Sequence, residues 1–375
     1  MTLALALRHH GMTSRIHEAR PRTAVRRDAR ILALSHGTQQ VLERLGVWPL
    51  IVRDGATPIR KVHVSHRHGL GRTVIDAGEL NLPALGYVLP AAALIDALDA
   101  AVSTAGIAYL DGTAVAAADM SIADDGVCLT GPNYSGGGTA VGANECRVRL
   151  VAWAEGAVDP KAAQTRDYGQ HAVLCTVGVA TRHDNVAWER FTDEGPLALL
   201  PFGNDYAVVL TCASAQVERI RALDDDAFRS LLAARFGHRL EFTALTPRLA
   251  YPLGLRWRTN VVGPRQVWLG NAAQTLHPVA GQGFNLAVRD VWELARSLAG
   301  AGDPGAPAVL SGYAARRRVD RRGTMGFTDL LIDAFGVDFT PLKHLRGAGL
   351  LALDIVPPLR RFVARRMMFG ANGLP

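Results

Sequence analysis

A chain of 375 residues, 49% hydrophobic and 20% charged, has the composition of a globular protein and the length for two domains around a large core. Disordered, collagen-like and disulfide-framework chains are excluded, and 38 glycines favour a loop-rich α/β or α+β enzyme over a helical bundle. A formal charge of +7 admits nucleic acid, an anionic cofactor or an anionic membrane as partner; with 6% aromatics and no basic run interleaved with them, no nucleic acid is expected.

Thr2–His10 reads as a helix closed by Gly11, and its apolar run is too short for a secretory signal. Ser14–His17 reads as a short strand ending at Glu18, the second half of a βαβ unit. Residues 18–30 are polar and Arg-rich, as in a solvent-edge or phosphate-facing loop. Ser35–Gly46 is a second helix with Gly46 as its stop. Lys61–Val74 is β-like, Ala92–Ala105 helical, and Tyr109–Leu129 a set of short strands. The Gly-rich Asn133–Asn144 is followed by strand-like CRVRLVAWA, so a flexible hairpin tip outweighs a phosphate-cradling loop, which should open a helix. Strands at Ala172–Val179, Leu197–Leu200 and Tyr206–Cys212, interrupted by a helix at Asp225–Phe236, predict an antiparallel sheet inserted into an α/β framework. The framework returns with the strand starting at Val267, a turn, and a helix over Gly283–Ala299. Residues 300–307 read as a surface loop, and a helical, Arg-rich region finishes the chain. No stretch of 18 apolar residues is long enough to span a membrane. Cys128, Cys146, Cys175 and Cys212 form no CxxC pair, so neither a metal site nor a disulfide framework is expected, and a cytoplasmic location fits.

The segment Gly270–Asp290, GNAAQTLHPVAGQGFNLAVRD, carries the most chemistry. A strand runs into small residues, then Pro278 and the Gly281-Gln282-Gly283 corner. The helix that follows sets Phe284, Ala287, Val288, Val291, Leu294, Ala295 and Leu298 on one apolar stripe. Glycines let backbone approach a ligand, and N–H groups at a helix N terminus favour negative charge. GxG alone is equally well a packing device; the 21-residue string is far more specific.

That string resembles the second flavin-binding signature of the FAD-dependent aromatic hydroxylases, the p-hydroxybenzoate hydroxylase-like group, and within it the ubiquinone-biosynthesis branch and its 2-polyprenyl-6-methoxyphenol hydroxylase subgroup. Asn271 and Gln274 stand where most relatives have Asp and His, changes the subgroup tolerates. Further segments fall in the family's order. Glu18 matches the acidic residue that binds the adenosine ribose. Asp28-Ala29-Arg30 with Ala33-Leu34-Ser35 resembles the DxRxxALS signature, whose arginine, here Arg30, approaches the FAD pyrophosphate. Trp153-Ala154-Glu155-Gly156 sits where the family has Ala-Asp-Gly, with Glu155 replacing Asp. Arg190-Phe191, Gly195–Pro201 and Tyr251-Pro252-Leu253 also match. The family's leading strand and GxGxxG turn do not precede Thr2; roughly 10–20 residues of such a unit are missing, so the chain as written is expected to bind FAD poorly or fold marginally. A start assigned too far downstream or a truncated gene is the favoured account.

The resemblance implies an α/β FAD-binding Rossmann-like domain (1–60, 86–165 and 260–325), an inserted antiparallel-sheet α+β substrate domain (61–85 and 166–259), and a helical C-terminal region (326–375). It implies a monooxygenase that hydroxylates a polyprenylated methoxyphenol through a hydroperoxyflavin, using FAD, NAD(P)H and dioxygen. Expected cofactor-binding residues are Glu18, Arg30, Glu155, Gly156, Gly270, Asn271, Pro278, Gly281, Gln282, Gly283 and Asn285. Pro278, Gly281 and Gln282 shape the flavin face, Asn285 hydrogen-bonds the flavin edge, and no acid or base is singled out. Two alternatives stand: a flavin hydroxylase of another aromatic, and a non-catalytic or truncated scaffold in a quinone-biosynthesis complex.

His63, His66 and His68 lack a completing carboxylate and read as a solvated strand edge, not a metal site. His277, beside the flavin turn, reads as packing or support before catalysis. Arg316–Arg318, Arg321-Arg322, Arg360-Arg361 and Arg365-Arg366 supply much of the excess charge. Two readings are equally open for this end: a peripheral contact with the inner face of an anionic membrane, lost on deletion after about Pro357, or a solvated helix face over core Leu and Met.

Overall fold

A computed structural model describes residues 1–25, 28–53, 55–67, 69, 71–130, 145–154, 156–276, 281–336 and 340–371. The helices in chain order are α1 (Thr2–His9), α2 (Arg22–Val25), α3 (His36–Arg44), α4 (Trp48–Arg53), α5 (Ala91–Thr104), α6 (Val217–Arg221), α7 (Asp225–Phe236), α8 (Gln282–Leu298), α9 (Pro307–Gly336), α10 (Thr340–Ile355) and α11 (Pro357–Phe369). Their ends follow local chemistry. Ser35 Oγ accepts from Thr38 N at 3.2 Å to cap α3, and Asp224 accepts from Ala227 N at 2.7 Å to cap α7. Gly11, Gly46 and Gly237, at φ of +76°, +70° and +97°, follow α1, α3 and α7 in a backbone region that L side chains avoid.

Two parallel pairs carry the α/β framework: Arg15–Glu18 beside Ala108–Asp111, and Val151–Trp153 beside Gln266–Trp268. Among the described residues no strand joins the two pairs into one sheet. Strands Ile31–Ser35, Gly86–Pro90 and Thr57–Ile59 form a third, antiparallel sheet. α1, α3 and α8 pack together on this framework, and α8 buries Leu286, Val288, Val291, Trp292, Leu294, Ala295 and Leu298. The Gly-rich hairpin tip lies outside the described residues, although its flanking strands Gly126–Thr130 and Glu145–Val148 pair antiparallel.

A nine-stranded, largely antiparallel sheet forms the second layer, from Gln274–Thr275 at one end to Arg72–Asp76 at the other. Its outer face buries Val173, Leu199, Tyr206 and Leu210 against Phe228, Leu232 and Phe236 of α7. Strand alternation sends the next residues to the inner face. There Ala187, Val62 and Leu200 meet Ile31, Ile59 and Val88 of the small sheet, while Val62 and Ile75 also meet Ala364, Met368 and Phe369 of α11.

The fold is the expected α/β framework with an inserted antiparallel sheet and helical C-terminal region. α9 runs unbroken through residue 326, where the C-terminal region was expected to begin. One sequence reading is corrected. Lys61–His66 lies between Val186–Phe191 and Arg72–Asp76, so it is an interior strand and not a solvated edge. His63 and His66 are 7% and 6% exposed, and the His63 ring lies 4.5 Å from that of Trp188. His68 lies outside the described residues.

Candidate functional site

The turn predicted to carry the chemistry starts where strand Gln266–Trp268 ends. Gly270 takes φ +55°, a single 3₁₀ turn follows, and Gln274–Thr275 joins the edge of the nine-stranded sheet. The turn thus ties the framework to the inserted sheet. His277 and Pro278 lie outside the described residues. Gly281 then takes φ +60° and opens α8. A Cβ on Gly281 would come within 3.4 Å of Ala33 Cβ, whereas one on Gly283 would meet nothing within 4 Å. The backbone is drawn close to strand Ile31–Ser35 on one side and open on the other.

Asn285 holds this arrangement. Its Oδ1 accepts from Ser35 N at 2.8 Å and Thr38 Oγ1 at 2.7 Å; its Nδ2 donates to Ala33 O at 3.0 Å and Gly281 O at 2.7 Å. Two donors and two acceptor positions are the whole capacity of a primary amide. The expected hydrogen bond from Asn285 to a flavin edge is therefore corrected: this side chain, 2% exposed, is spent on fastening the turn to α3. Ser35 Oγ donates to Met368 O at 3.0 Å, so the same junction anchors α11.

α8 has no side-chain cap and no acidic residue in its first turn. Its positive end thus faces the open side of Gly283 without an internal anion. Gln282 is 5% exposed, and His36, at the start of α3, is buried with Nδ1 unpartnered and its basicity lowered by burial. An open space over an uncapped helix start, with a buried ring nitrogen nearby, fits a flat ligand with a polar, electron-rich edge.

The other predicted residues sit further along the framework. Glu18 ends its strand and accepts from Arg20 N and Nε at 3.0 and 3.1 Å. Arg30 is held by Asp28 through Nε at 2.9 Å, three residues before Ala33. Gly156, at φ +76°, is exposed, as is Asn271. Glu155 lies outside the described residues. The structure thus brings Gly281, Gln282, Gly283 and Asn285 together with Ser35 and His36, while Glu18 and Arg30 are engaged by their own neighbours.

Residues 145–327 match the family model described as an FAD binding domain. The ubiquinone hydroxylase UbiL of Rhodospirillum rubrum is 32% identical over 98% of this chain and 86% of its own length. The chain belongs to the FAD-dependent aromatic hydroxylases, in the ubiquinone-biosynthesis branch. The 3-demethoxyubiquinol 3-hydroxylase of Escherichia coli is 30% identical over 96% of this hydroxylase and 93% of its own length. Among solved structures, Klebsiella pneumoniae HpxO, complexed with FAD and uric acid, shares the fold at a TM-score of 0.71 and 16% identity, covering 97% of this chain and 94% of that one.

In this flavin-dependent hydroxylase two basic residues of α9, Arg317 and Arg321, are turned inward. Arg317 donates to Asp290 and to Asp320 at 2.7 Å each, and Arg289 donates to Asp320 at 2.8 Å. Arg321 donates to Gln274 Oε1 at 2.9 Å, and Gln274 Nε2 donates to Asp290 at 2.8 Å. All six side chains are 7% exposed or less. Burial works against the Asp320 charge, but Arg289 and Arg317 outweigh it and hold the carboxyl below its ordinary range. Arg360 likewise pairs with Glu79 at 2.8 Å. Of the arginines read as a membrane-facing or solvated cluster, Arg317 and Arg321 belong instead to a buried network that ties Gln274 to α9, while Arg316, Arg318, Arg322, Arg361 and Arg365 are exposed. Thr38, Asp320 and the pairing of Gln274 with Asp290 were not legible in the sequence, because each depends on a partner 16 or more residues away.

Proposed function

We propose that the chain hydroxylates the ring of a polyprenylated methoxyphenol in ubiquinone biosynthesis, with dioxygen as co-substrate and NADH or NADPH as electron donor. The observation that carries this reading is the placement of an apolar sheet face across strand Ile31–Ser35 from the Gly281–Asn285 turn. A phenol with a lipid tail needs an apolar enclosure against the cofactor, and this face supplies it. FAD, when bound, supplies dioxygen activation and oxygen transfer. Gly156, Gly270, Gly281, Gln282 and Gly283 would hold it by backbone, with Glu18 toward the ribose and Arg30 toward the pyrophosphate. Pro278 and Glu155 keep the roles the resemblance gives them. Asn285 acts by fixing the turn. The inner sheet face excludes water and orients the ring.

The domain division at residues 61–85 and 166–259 is part of this proposal. A cleft of about 180 Å³ beside Gln282, lined by Phe327, Phe362, Val363 and Met367, offers the prenyl tail an apolar way out. It leads to a surface where Leu351, Ile355, Val356, Leu359 and Phe362 are 40–67% exposed beside Arg361 and Arg365. That surface supports a cytoplasmic protein resting on the inner face of an anionic membrane, or docking in a quinone-biosynthesis complex. Among the described residues no helix is long and apolar enough to cross a membrane.

The test supplies flavin-loaded protein with NADH, dioxygen and a 2-methoxyphenol bearing a short prenyl chain. Mass spectrometry should show the phenol gaining one oxygen atom. NADH consumption with no gain in mass would defeat the assignment.

A further inference from the structure

The inner sheet face carries an acidic side chain, Glu189, apart from the Gly281–Asn285 turn. Strand register places Glu189 in a single cross-strand row, Thr73–Val64–Glu189–Ala198–Val209–Leu174–Leu249. The row lies on the face turned from α7, because Trp188 beside Glu189 packs into the α7 core and Ala187 packs against the small sheet. The adjoining row, Ile75–Val62–Ala187–Leu200, is roofed by α11 and by Ile31, Ile59 and Val88. Glu189 therefore stands one row inside the roof, in an apolar floor.

Its carboxyl makes no hydrogen bond and no ion pair among the described residues. The side chain keeps part of its surface accessible. Yet protein surrounds it densely enough that burial alone pushes the carboxyl from 4.5 up to about 7. The carboxylate thus sits in a dense apolar surround with part of its side chain still accessible. The only other polar side chain of the row, Thr73, is 2% exposed with its hydroxyl unpartnered. Burying a carboxyl with no partner is costly, so a residue kept there is best accounted for by a ligand that completes it.

We propose that Glu189 is the polar anchor for the substrate's phenolic hydroxyl: its carboxylate accepts the O–H hydrogen bond and so sets which ring carbon is presented for hydroxylation. The inference rests on the reading of the substrate as a phenol. A carboxylate is an acceptor only, and a hydrogen bond to it is roughly twice as strong as a neutral one. Accepting that bond also leaves more electron density on the ring, as an electrophilic oxygen transfer requires.

The other ionisable groups near this face are His66, opposite Phe191 in the next row, Tyr251, opposite Ala172, and from the facing layer His36 and Arg30. All remain in a Glu189→Gln variant, which keeps shape and an acceptor oxygen but cannot ionise. The test measures calorimetric Kd values of flavin-loaded protein for a 2-methoxyphenol bearing one isoprene unit and for its O-methyl ether, which lacks the O–H. Parent protein should bind the phenol about tenfold more tightly at pH 8.5 than at pH 5.5, with a midpoint near 7, and the ether with no such dependence. Glu189→Gln should flatten the phenol profile; Glu189→Leu should weaken phenol binding about tenfold and leave ether binding unchanged. Variants that bind the phenol like the parent, with its pH profile, would overturn the Glu189 assignment and leave the hydroxylase reading standing. Parent protein that binds neither probe would overturn both.

Discussion

Asn285 shows how one side chain can decide a site without touching a ligand. Four hydrogen bonds within 3.0 Å join strand Ile31–Ser35, α3 and the left-handed Gly281, so truncation leaves Ser35 N and Gly281 O without partners in a buried junction. Asn285→Ala should cost about 2–4 kcal/mol and release flavin on gel filtration, whereas Gly283→Ala, in open space, should keep the fold. Retention of flavin by Asn285→Ala would contradict the fastening role. At Glu189 the linkage runs with a definite sign. A carboxyl whose pKa is raised on folding favours the protonated folded state, so its contribution to stability is full below about pH 4.5 and lost as pH rises through about 7. The loss amounts to about 3 kcal/mol at most. The Tm should fall between pH 5 and pH 8, and Glu189→Gln should remove most of that fall; equal slopes in both proteins would contradict it.

At the scale of elements, α8 and α9 are joined by ions, not only by apolar packing. Three arginines and two aspartates are enclosed together, and removing one partner leaves an uncompensated buried charge. Asp320→Leu strands Arg289, leaves Arg317 with Asp290 alone, and frees the backbone N–H of Ala371, which donates to Asp320 at 2.8 Å. A loss of about 3–5 kcal/mol is expected, seen as a lower melting temperature. Gly370 closes α11 at φ +75°, with a Cβ position 2.6 Å from Asp320 Oδ1. Gly370→Ala should therefore destabilise through both strain and the same network. The starts of α3 and α7 were legible at Ser35 and Asp225 because the capping that fixes them, by Ser35 and Asp224, is local. The strand containing His63 was misread because nothing in its own residues says whether neighbours will flank it on both sides.

Over the whole molecule, α11 closes the structure against α3 and the inner sheet face, so deleting the chain after Pro357 would remove core residues Ala364 and Met368 along with any surface role. Paired substitutions Ile355→Glu and Phe362→Glu, at positions 67% and 66% exposed, test the surface without opening the core. They should reduce co-sedimentation with anionic vesicles several-fold while the melting temperature holds; unchanged sedimentation would dismiss the membrane contact.

From the sequence alone came the class of the fold, the family and the strand–turn–helix order around Gly270–Asp290, because helix periodicity, caps and that string are written in contiguous residues. Tertiary structure alone decided what those residues do for one another. It assigned Arg317 of α9 to buried aspartates and Arg321 to Gln274, turned Asn285 inward, and set Glu189 on the face that looks toward the framework. Pairings across 16 to 250 residues are governed by sheet register and helix packing, and no local pattern encodes them. The +7 charge is read differently as a result: part of it is the inside of the protein, and only the remainder is a surface.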